Sequence, residues 1–213
     1  MCHRHRVSYL AVTTPVLPEA ERAEPTARAR RISVRALAVL GLVAALLYIA
    51  DRVTKILVVN NLVLGESVPF VGDLLRLRYV ENPGAAFSLG SGTTWVFAII
   101  ATAVAVFIVV FAHRIRSTAW AVVFGMLLGG TLGNLTDRLT REPGFGRGYV
   151  VDFFELWGFP AIFNIADVAI VSSMAVFIVL TIRGVGLDGT KQAREGDRSG
   201  GDPASSAEPG DQR

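Results

Sequence analysis

The sequence is poor in the residues that the commonest hydrolytic sites depend on. Its 213 residues include one cysteine, Cys2, which excludes an intrachain disulfide and a cysteine-ligated metal site. Histidine is nearly as scarce: His3 and His5 lie in the N-terminal arm, and His113 sits in a short connection between apolar runs. A serine–histidine site and a zinc site therefore lack ligands where the other polar residues gather. Gly90-Ser91-Gly92 is a small-residue turn, and no glycine-rich phosphate loop precedes a helix. Charge is sparse too. Asp, Glu, Lys and Arg make up 18% of the chain and hydrophobic residues 52%, a balance too apolar for an ordinary soluble domain. The net charge of +3 does not signal nucleic acid, because the arginines sit in terminal arms and short loops beside apolar runs.

What is present is four apolar runs, at about 36–59, 95–112, 119–135 and 161–182. Each approaches the ~20 residues that a helix needs to cross the hydrocarbon core. Helices are expected because an isolated spanning segment must satisfy its own backbone hydrogen bonds. The predicted fold is an all-α membrane protein: one domain over residues 32–183 with four transmembrane helices, between disordered tails at 1–31 and 184–213. Arg4 and Arg6 before the apolar stretch 7–17 faintly resemble a cleavable signal, but Thr13, Thr14 and Pro15 interrupt it. Four crossings put the long connections 60–94 and 136–160 on one side, and both tails with the turn 113–118 on the other. Arg22, Arg28, Arg30, Arg31 and Arg35 precede the first run, Arg114 and Arg116 occupy the short turn, and Arg183 follows the fourth run. The positive-inside rule then predicts cytoplasmic termini and extracytoplasmic long connections. Alternation over Leu75, Arg76, Leu77, Arg78 and Tyr79 predicts a strand at 74–80, hence a small extracytoplasmic β-containing element.

Ionisable residues in spanning segments are costly and call for a reason. Asp51 and Lys55 share a helical face at i, i+4, and lie ~24 Å or more beyond Arg35 at the helical rise, near the outer surface. Asn134, Asp137 and Arg138 close the third run, Asn164 and Asp167 open the fourth at i, i+3, and Asp152 just precedes it. Topology thus gathers aspartates from separate segments at one membrane face. Several have a structural reading beside a functional one. Asp51 with Lys55 can be a neutralising pair, Asp137 with Arg138 an interfacial salt bridge, and Asn82 in Asn-Pro-Gly a turn former. Gly125, Gly129 and Gly133, four residues apart, fit close helix approach. Asp167, expected about one and a half turns inside an apolar helix with no basic neighbour in sequence, points more firmly to function. Two carboxylates held close share a proton, so one can act as base on water while the other donates to a carbonyl. Spacing alone leaves a proton- or cation-coupled carrier open, with Asp51 and Asp167 as relay, and also a non-catalytic membrane subunit. The carrier reading lacks a polar ladder across the second and fourth helices, and an inverted repeat.

Five segments sharpen the choice: Asp51-Arg52-Val53-Thr54-Lys55, Asn82-Pro83-Gly84-Ala85-Ala86-Phe87-Ser88, Gly133-Asn134-Leu135-Thr136-Asp137-Arg138, Val150-Val151-Asp152-Phe153 and Phe163-Asn164-Ile165-Ala166-Asp167. In that order they resemble the motifs of the lipoprotein signal peptidases (signal peptidase II), over about residues 36–182. The resemblance implies that Asp152 and Asp167 form a catalytic aspartyl pair. It implies that Asn82, Gly133, Asn134, Arg138 and Asn164 line or support the substrate site, with Asp51 and Lys55 stabilising it. It further implies cleavage before the diacylglyceryl-cysteine of lipid-modified prolipoproteins, in contact with membrane lipids of the bacterial cell membrane and without metal or organic cofactor. The chain departs from the family in its long tails, which carry no family motif, and in the short stretch 153–166 between the two aspartates. Phe145, Phe153, Phe154, Leu156, Trp157 and Phe159 lie beside the site in sequence, as acyl-chain contacts or as an interfacial aromatic belt.

Overall fold

A computed structural model describes residues 32–84 and 93–190. The tail expected at 1–31, residues 191–213 of the tail expected at 184–213, and residues 85–88 of the Asn-Pro-Gly motif lie outside the described residues. The helices are α1 (Val34–Asn61), α2 (Thr94–Phe111), α3 (Thr118–Thr140) and α4 (Ile165–Ile182), each long and apolar enough to cross a membrane. Four strands, β1 (Ser67–Val71), β2 (Leu75–Asn82), β3 (Val150–Leu156) and β4 (Ile162–Phe163), form one antiparallel sheet in sequence order. The strand expected at 74–80 is β2. Its partners carry less alternation, because β3 buries four consecutive residues, from Val150 to Phe153.

The bundle is built around α3. The apolar window of α3 is 61% buried inside the protein, against 22% or less for the other three, so its faces meet protein where theirs meet lipid. Small residues allow this. A Cβ at Gly125 would lie 2.8 Å from the Leu40 carbonyl oxygen and one at Gly129 2.7 Å from that of Ala44, so α1 rests on the α3 backbone. On the other flank, a Cβ at Gly130 would lie 2.6 Å from the Ala166 carbonyl of α4. One apolar cluster centres on Ala36, Leu40, Ala44, Ile108, Trp120 and Val123. A second lies under the sheet, on Val58, Tyr79, Val151 and Phe153. Along α1 the two clusters are separated by the turns that carry Asp51 and Lys55.

Three expected boundaries move. The fourth helix starts at Ile165 rather than 161, because Ile162 and Phe163 pair with β3 and Asn164 is the N-cap. The Asn164 side chain accepts from Asp167 N, and the Asp167 carboxylate accepts from Asn164 N, a reciprocal capping box that requires Asn164 to be extended. Asp167 therefore belongs to the first turn of α4, not to its interior. At the end of α3 the helix runs on to Thr140, closed by Arg141 N donating to Asp137 O at 2.9 Å. Residues 184–190, assigned to the tail from sequence, are ordered against the bundle. Trp120 Nε1 donates to Val185 O at 2.9 Å, and Arg116 N and Ser117 N both donate to Leu187 O at 2.9 Å. Val185 and Leu187 pack on the first cluster, and the largely buried Trp120 indole gains the acceptor it needs.

Candidate active site

Lys55 and Asp51 are both fully buried, at 0% exposure. An ammonium has three donors, and Lys55 Nζ meets three acceptors: Asp51 Oδ2 at 2.8 Å, Asp137 Oδ2 at 2.9 Å and Asn134 Oδ1 at 2.8 Å. The i, i+4 pair expected in α1 is therefore present and joined by α3. Asp51 Oδ1 also accepts from Ala166 N at 3.0 Å, which ties α1 to the first turn of α4. Asp51 Oδ2 has no well-directed hydrogen bond, and its short ion pair with Lys55 is what offsets its burial. Gly133 makes room for this carboxylate: a Cβ there would lie 2.5 Å from Asp51 Oδ2.

The expected Asp137–Arg138 bridge is not formed. Consecutive helical residues point about 100° apart, so Asp137 turns to α1 while Arg138 turns to the other side. Asp137 pairs with Lys55, with Arg52 Nη1 at 2.5 Å and with Arg141 Nε at 2.7 Å. Neither arginine was singled out from the sequence, although the i, i+4 spacing of Asp137 and Arg141 carried the signal. Arg138 Nη2 instead donates to Gly84 O at 2.7 Å, and its guanidinium lies 5.2 Å from the centre of the Phe97 ring. Arg138 is only 7% exposed, and its Nη1 has no hydrogen-bond partner among the described residues.

Beyond this charged layer, three asparagine amides meet two aspartates. Asn82, at the end of β2, accepts from Gly84 N at 2.9 Å and donates through Nδ2 to Asp152 Oδ2 at 2.9 Å. Asn164 accepts from Asp167 N at 3.0 Å and donates to Asp152 Oδ1 at 2.6 Å. Asn134 accepts from Lys55 Nζ at 2.8 Å and donates to Asp167 Oδ1 at 2.8 Å. Asp167 Oδ2 takes a further bond from Asn164 N at 3.2 Å. In each case the amide oxygen faces a group that can only donate, which fixes the orientation and turns the NH2 to a carboxylate. Asn164 bridges both carboxyl groups, one from β3 and one from α4.

Asp152 sits on β3 opposite Val80 of β2, beside an irregular step in the register between Leu77 and Val80. It is 3% exposed. Burial, reinforced by the Asp167 charge, pushes its carboxyl up from 3.8 to about 7, against the opposing hydrogen bonds from Asn82 and Asn164. A proton is thus retained on this side of the pair near neutral pH. The two carboxyl groups open, with Asn82, Asn134 and Arg138, into a cavity of about 460 Å³ whose remaining wall is mostly apolar, with Phe159, Ile162 and Phe163 and, from α4, Val168 and Val171, the hydroxyl-bearing Ser172 being the exception. The expected aromatic group divides here: Phe159 lines the cavity, Phe153 is buried under the sheet, and Phe145 and Trp157 are exposed. Among the described residues, no group of three or more His, Cys, Asp or Glu side chains is arranged to hold a metal ion.

The chain has counterparts among known proteins. The family described as signal peptidase (SPase) II matches residues 43–183, which span every site residue named above. A lipoprotein signal peptidase of Leifsonia xyli subsp. xyli is 53% identical over 188 residues, covering 86% of this chain and 87% of the relative. One of Rhodococcus jostii is 40% identical over 172 residues, covering 81% and 83%. The fold is also similar to that of a bacterial membrane enzyme solved by the in meso method at 2.3 Å resolution. That match has a TM-score of 0.64 at 26% identity, over 77% of this chain and 98% of the solved one. With residues 43–183 of the 213 matched by the family, and relatives at 53% and 40% identity over most of the chain, the chain belongs to the signal peptidase II family.

Proposed function

We propose that this multi-pass membrane protein is an aspartic endopeptidase that removes signal peptides from lipid-modified prolipoproteins, cutting before the diacylglyceryl-cysteine with Asp152 and Asp167 as the catalytic pair. The observation that carries the reading is the convergence of three locked amides on two carboxyl groups at the polar end of an apolar cavity. The environments of the two differ, which divides the labour. Asp152, whose raised carboxyl keeps its proton up to about pH 7, donates it in a hydrogen bond to the scissile carbonyl. Asp167 acts as the base, taking a proton from water as the water oxygen adds to the carbonyl carbon. Collapse of the tetrahedral intermediate breaks the C–N bond, and the proton held by Asp167 passes to the leaving amine. The apolar wall suits acyl chains entering from the lipid.

The site is built from the C-terminal ends of α1 and α3, the start of α4 and the sheet, all at one end of the bundle. With the arginine distribution, this favours cytoplasmic termini and a site near the extracytoplasmic face of the cell membrane. The carrier reading gains no support from relatives named as peptidases. Purified protein in detergent micelles tests the proposal, given one precursor peptide with and one without the diacylglyceryl group on cysteine. The expected result is a single cut that leaves the lipid-modified cysteine as the new N-terminus, with the unmodified peptide left whole. Equal cleavage of both peptides, or none of either, contradicts the proposal.

A further inference from the structure

Two of the three amides facing the aspartates are oriented by backbone N–H groups, Asn82 by Gly84 and Asn164 by Asp167. Asn134 is oriented mainly by a side chain. Its oxygen is held by Lys55 Nζ at 2.8 Å. The other donor is Asn164 Nδ2 at 3.2 Å, whose stronger bond, at 2.6 Å, goes to Asp152. An ammonium offers donors and no acceptor, so Asn134 can turn only its oxygen towards Lys55. The opposite end of the amide is then an NH2, 2.8 Å from Asp167 Oδ1. Flipped, Asn134 would set its NH2 against the ammonium and its oxygen against the carboxylate, replacing two attractive contacts by two repulsive ones.

We propose that Lys55 is a positioning residue for the reaction: by locking the Asn134 amide it keeps an N–H donor on Asp167 Oδ1, which holds that carboxyl group where it can take the proton of the attacking water. This rests on Asp152 and Asp167 being the catalytic pair. Asp51 and Asp137 are the ion-pair partners of the buried ammonium, at 2.8 and 2.9 Å, and its well-directed hydrogen bond goes to Asn134. The charged groups acting on the pair are Arg138 on α3 and Lys55 on α1, with Asp51 and Asp137 behind Lys55, and α2 contributes no charged side chain.

A role confined to neutralising Asp51 and Asp137 is the simpler alternative, and the pH dependence of kcat/KM, measured per folded protein in micelles, separates the two. A carboxylate that loses an N–H donor, or meets an amide oxygen in its place, takes up a proton more readily. In Lys55→Met the acid limb is therefore expected to move up by about one pH unit, with kcat falling about tenfold below the limb and KM little changed. Lys55→Met leaves Asp51 an unpaired buried carboxylate, so Asp51→Asn/Lys55→Met is measured beside it. There the Asn oxygen can still accept from Ala166 N, and Asp137 keeps Arg52 and Arg141. The same displaced limb is expected in the double variant. A wild-type limb there would make Lys55 a neutralising charge only and overturn the proposal, as would a double variant that does not fold, since the role is separable from folding. Asp152→Asn and Asp167→Asn run alongside: turnover in either removes the catalytic pair itself, whereas turnover in neither, with an unmoved limb, removes only the role of Lys55.

Discussion

Asn164 and Asp167 cap one another: the Asn164 side chain accepts from Asp167 N at 3.0 Å, and the Asp167 carboxylate accepts from Asn164 N at 3.2 Å. The same Asn164 amide reaches Asp152 at 2.6 Å, so the device that starts α4 also sets the spacing of the two acids. Local helix chemistry and the geometry of the proposed site are here a single feature, and a change to either acid bears on both.

For turnover, Asp152→Asn and Asp167→Asn are each expected to insert and fold yet lose nearly all cleavage. Asn is close in shape to Asp but can be neither the base nor the carrier of a transferable proton, and general acid–base help of this kind contributes ~10²–10⁴-fold. In Asp167→Asn the amide oxygen can still accept from Asn164 N, but its NH2 then faces the Asn134 NH2. The variant therefore loses a buried hydrogen bond at ~1–3 kcal/mol, besides the charge at the helix N-terminus at about 0.3–1 kcal/mol. Cleavage by either variant above roughly a tenth of wild type, well outside that range, would remove the pair assignment.

The pH behaviour of Asp152 has a defined sign. Its carboxyl is raised in the folded protein from 3.8 to about 7, so the folded state holds the proton more tightly than the unfolded chain between those values. The stability this contributes is complete below about pH 4 and is lost as pH rises through about 7. Asp152→Asn cannot ionise and escapes that loss, which amounts to at most about 4 kcal/mol. Turning an NH2 towards Asn82 or Asn164 destabilises the variant equally at all pH. The diagnostic is therefore the change in the melting difference between pH 4 and pH 8, which should favour the variant as pH rises. A difference that stays flat with pH would refute the assignment. For wild type, kcat/KM should decline above about pH 7 as Asp152 loses its proton.

Much of this was legible in the sequence, and the rest was hidden for physical reasons. Hydropathic runs set the four helices, and i, i+4 spacing set the Asp51–Lys55 pair. Adjacency in sequence misled at Asp137 and Arg138, whose side chains diverge on the helix. Periodicity also misled at the start of α4, where the apolar Ile162 and Phe163 continue the hydrophobic run but pair as a strand. What no spacing could give was the direction of each amide. Asn134 faces Lys55 across 79 residues, a relation that exists only once α1 and α3 are packed.

The ordered stretch after α4 predicts a sharp boundary for truncation. Ending the chain at Thr190 should leave the melting temperature and turnover in micelles close to those of the full protein. Ending it at Arg183 removes Val185 and Leu187 from the first cluster and strips the largely buried Trp120 Nε1 of its acceptor. A buried donor left without a partner costs ~1–3 kcal/mol, so a clear drop in melting temperature is expected. Equal stability of the two truncations would mean that residues 184–190 contribute nothing to the fold.

Two glycines on packed helices should respond to alanine in opposite directions. Gly41 of α1 has nothing within 4 Å of where a Cβ would stand. Gly41→Ala should therefore gain ~0.5–1 kcal/mol by limiting the unfolded chain and favouring the helix. Gly133 is the contrary case, because the new Cβ would lie 2.5 Å from Asp51 Oδ2 and 3.3 Å from the Ala166 Cβ. That carboxylate cannot retreat, being fixed on one oxygen by Ala166 N and on the other by Lys55. Moving it would disturb Lys55, and through it Asn134 beside Asp167. Gly133→Ala is expected to lose ~1–3 kcal/mol, the range for overpacking a tight interior, and to lower kcat more than the loss of folded protein explains. Melting temperatures and turnover per folded molecule in micelles check both parts. A Gly133→Ala variant as stable as Gly41→Ala would show that Asp51 has room to move, and that the close fit between α1, α3 and α4 does not hold the charged layer in place.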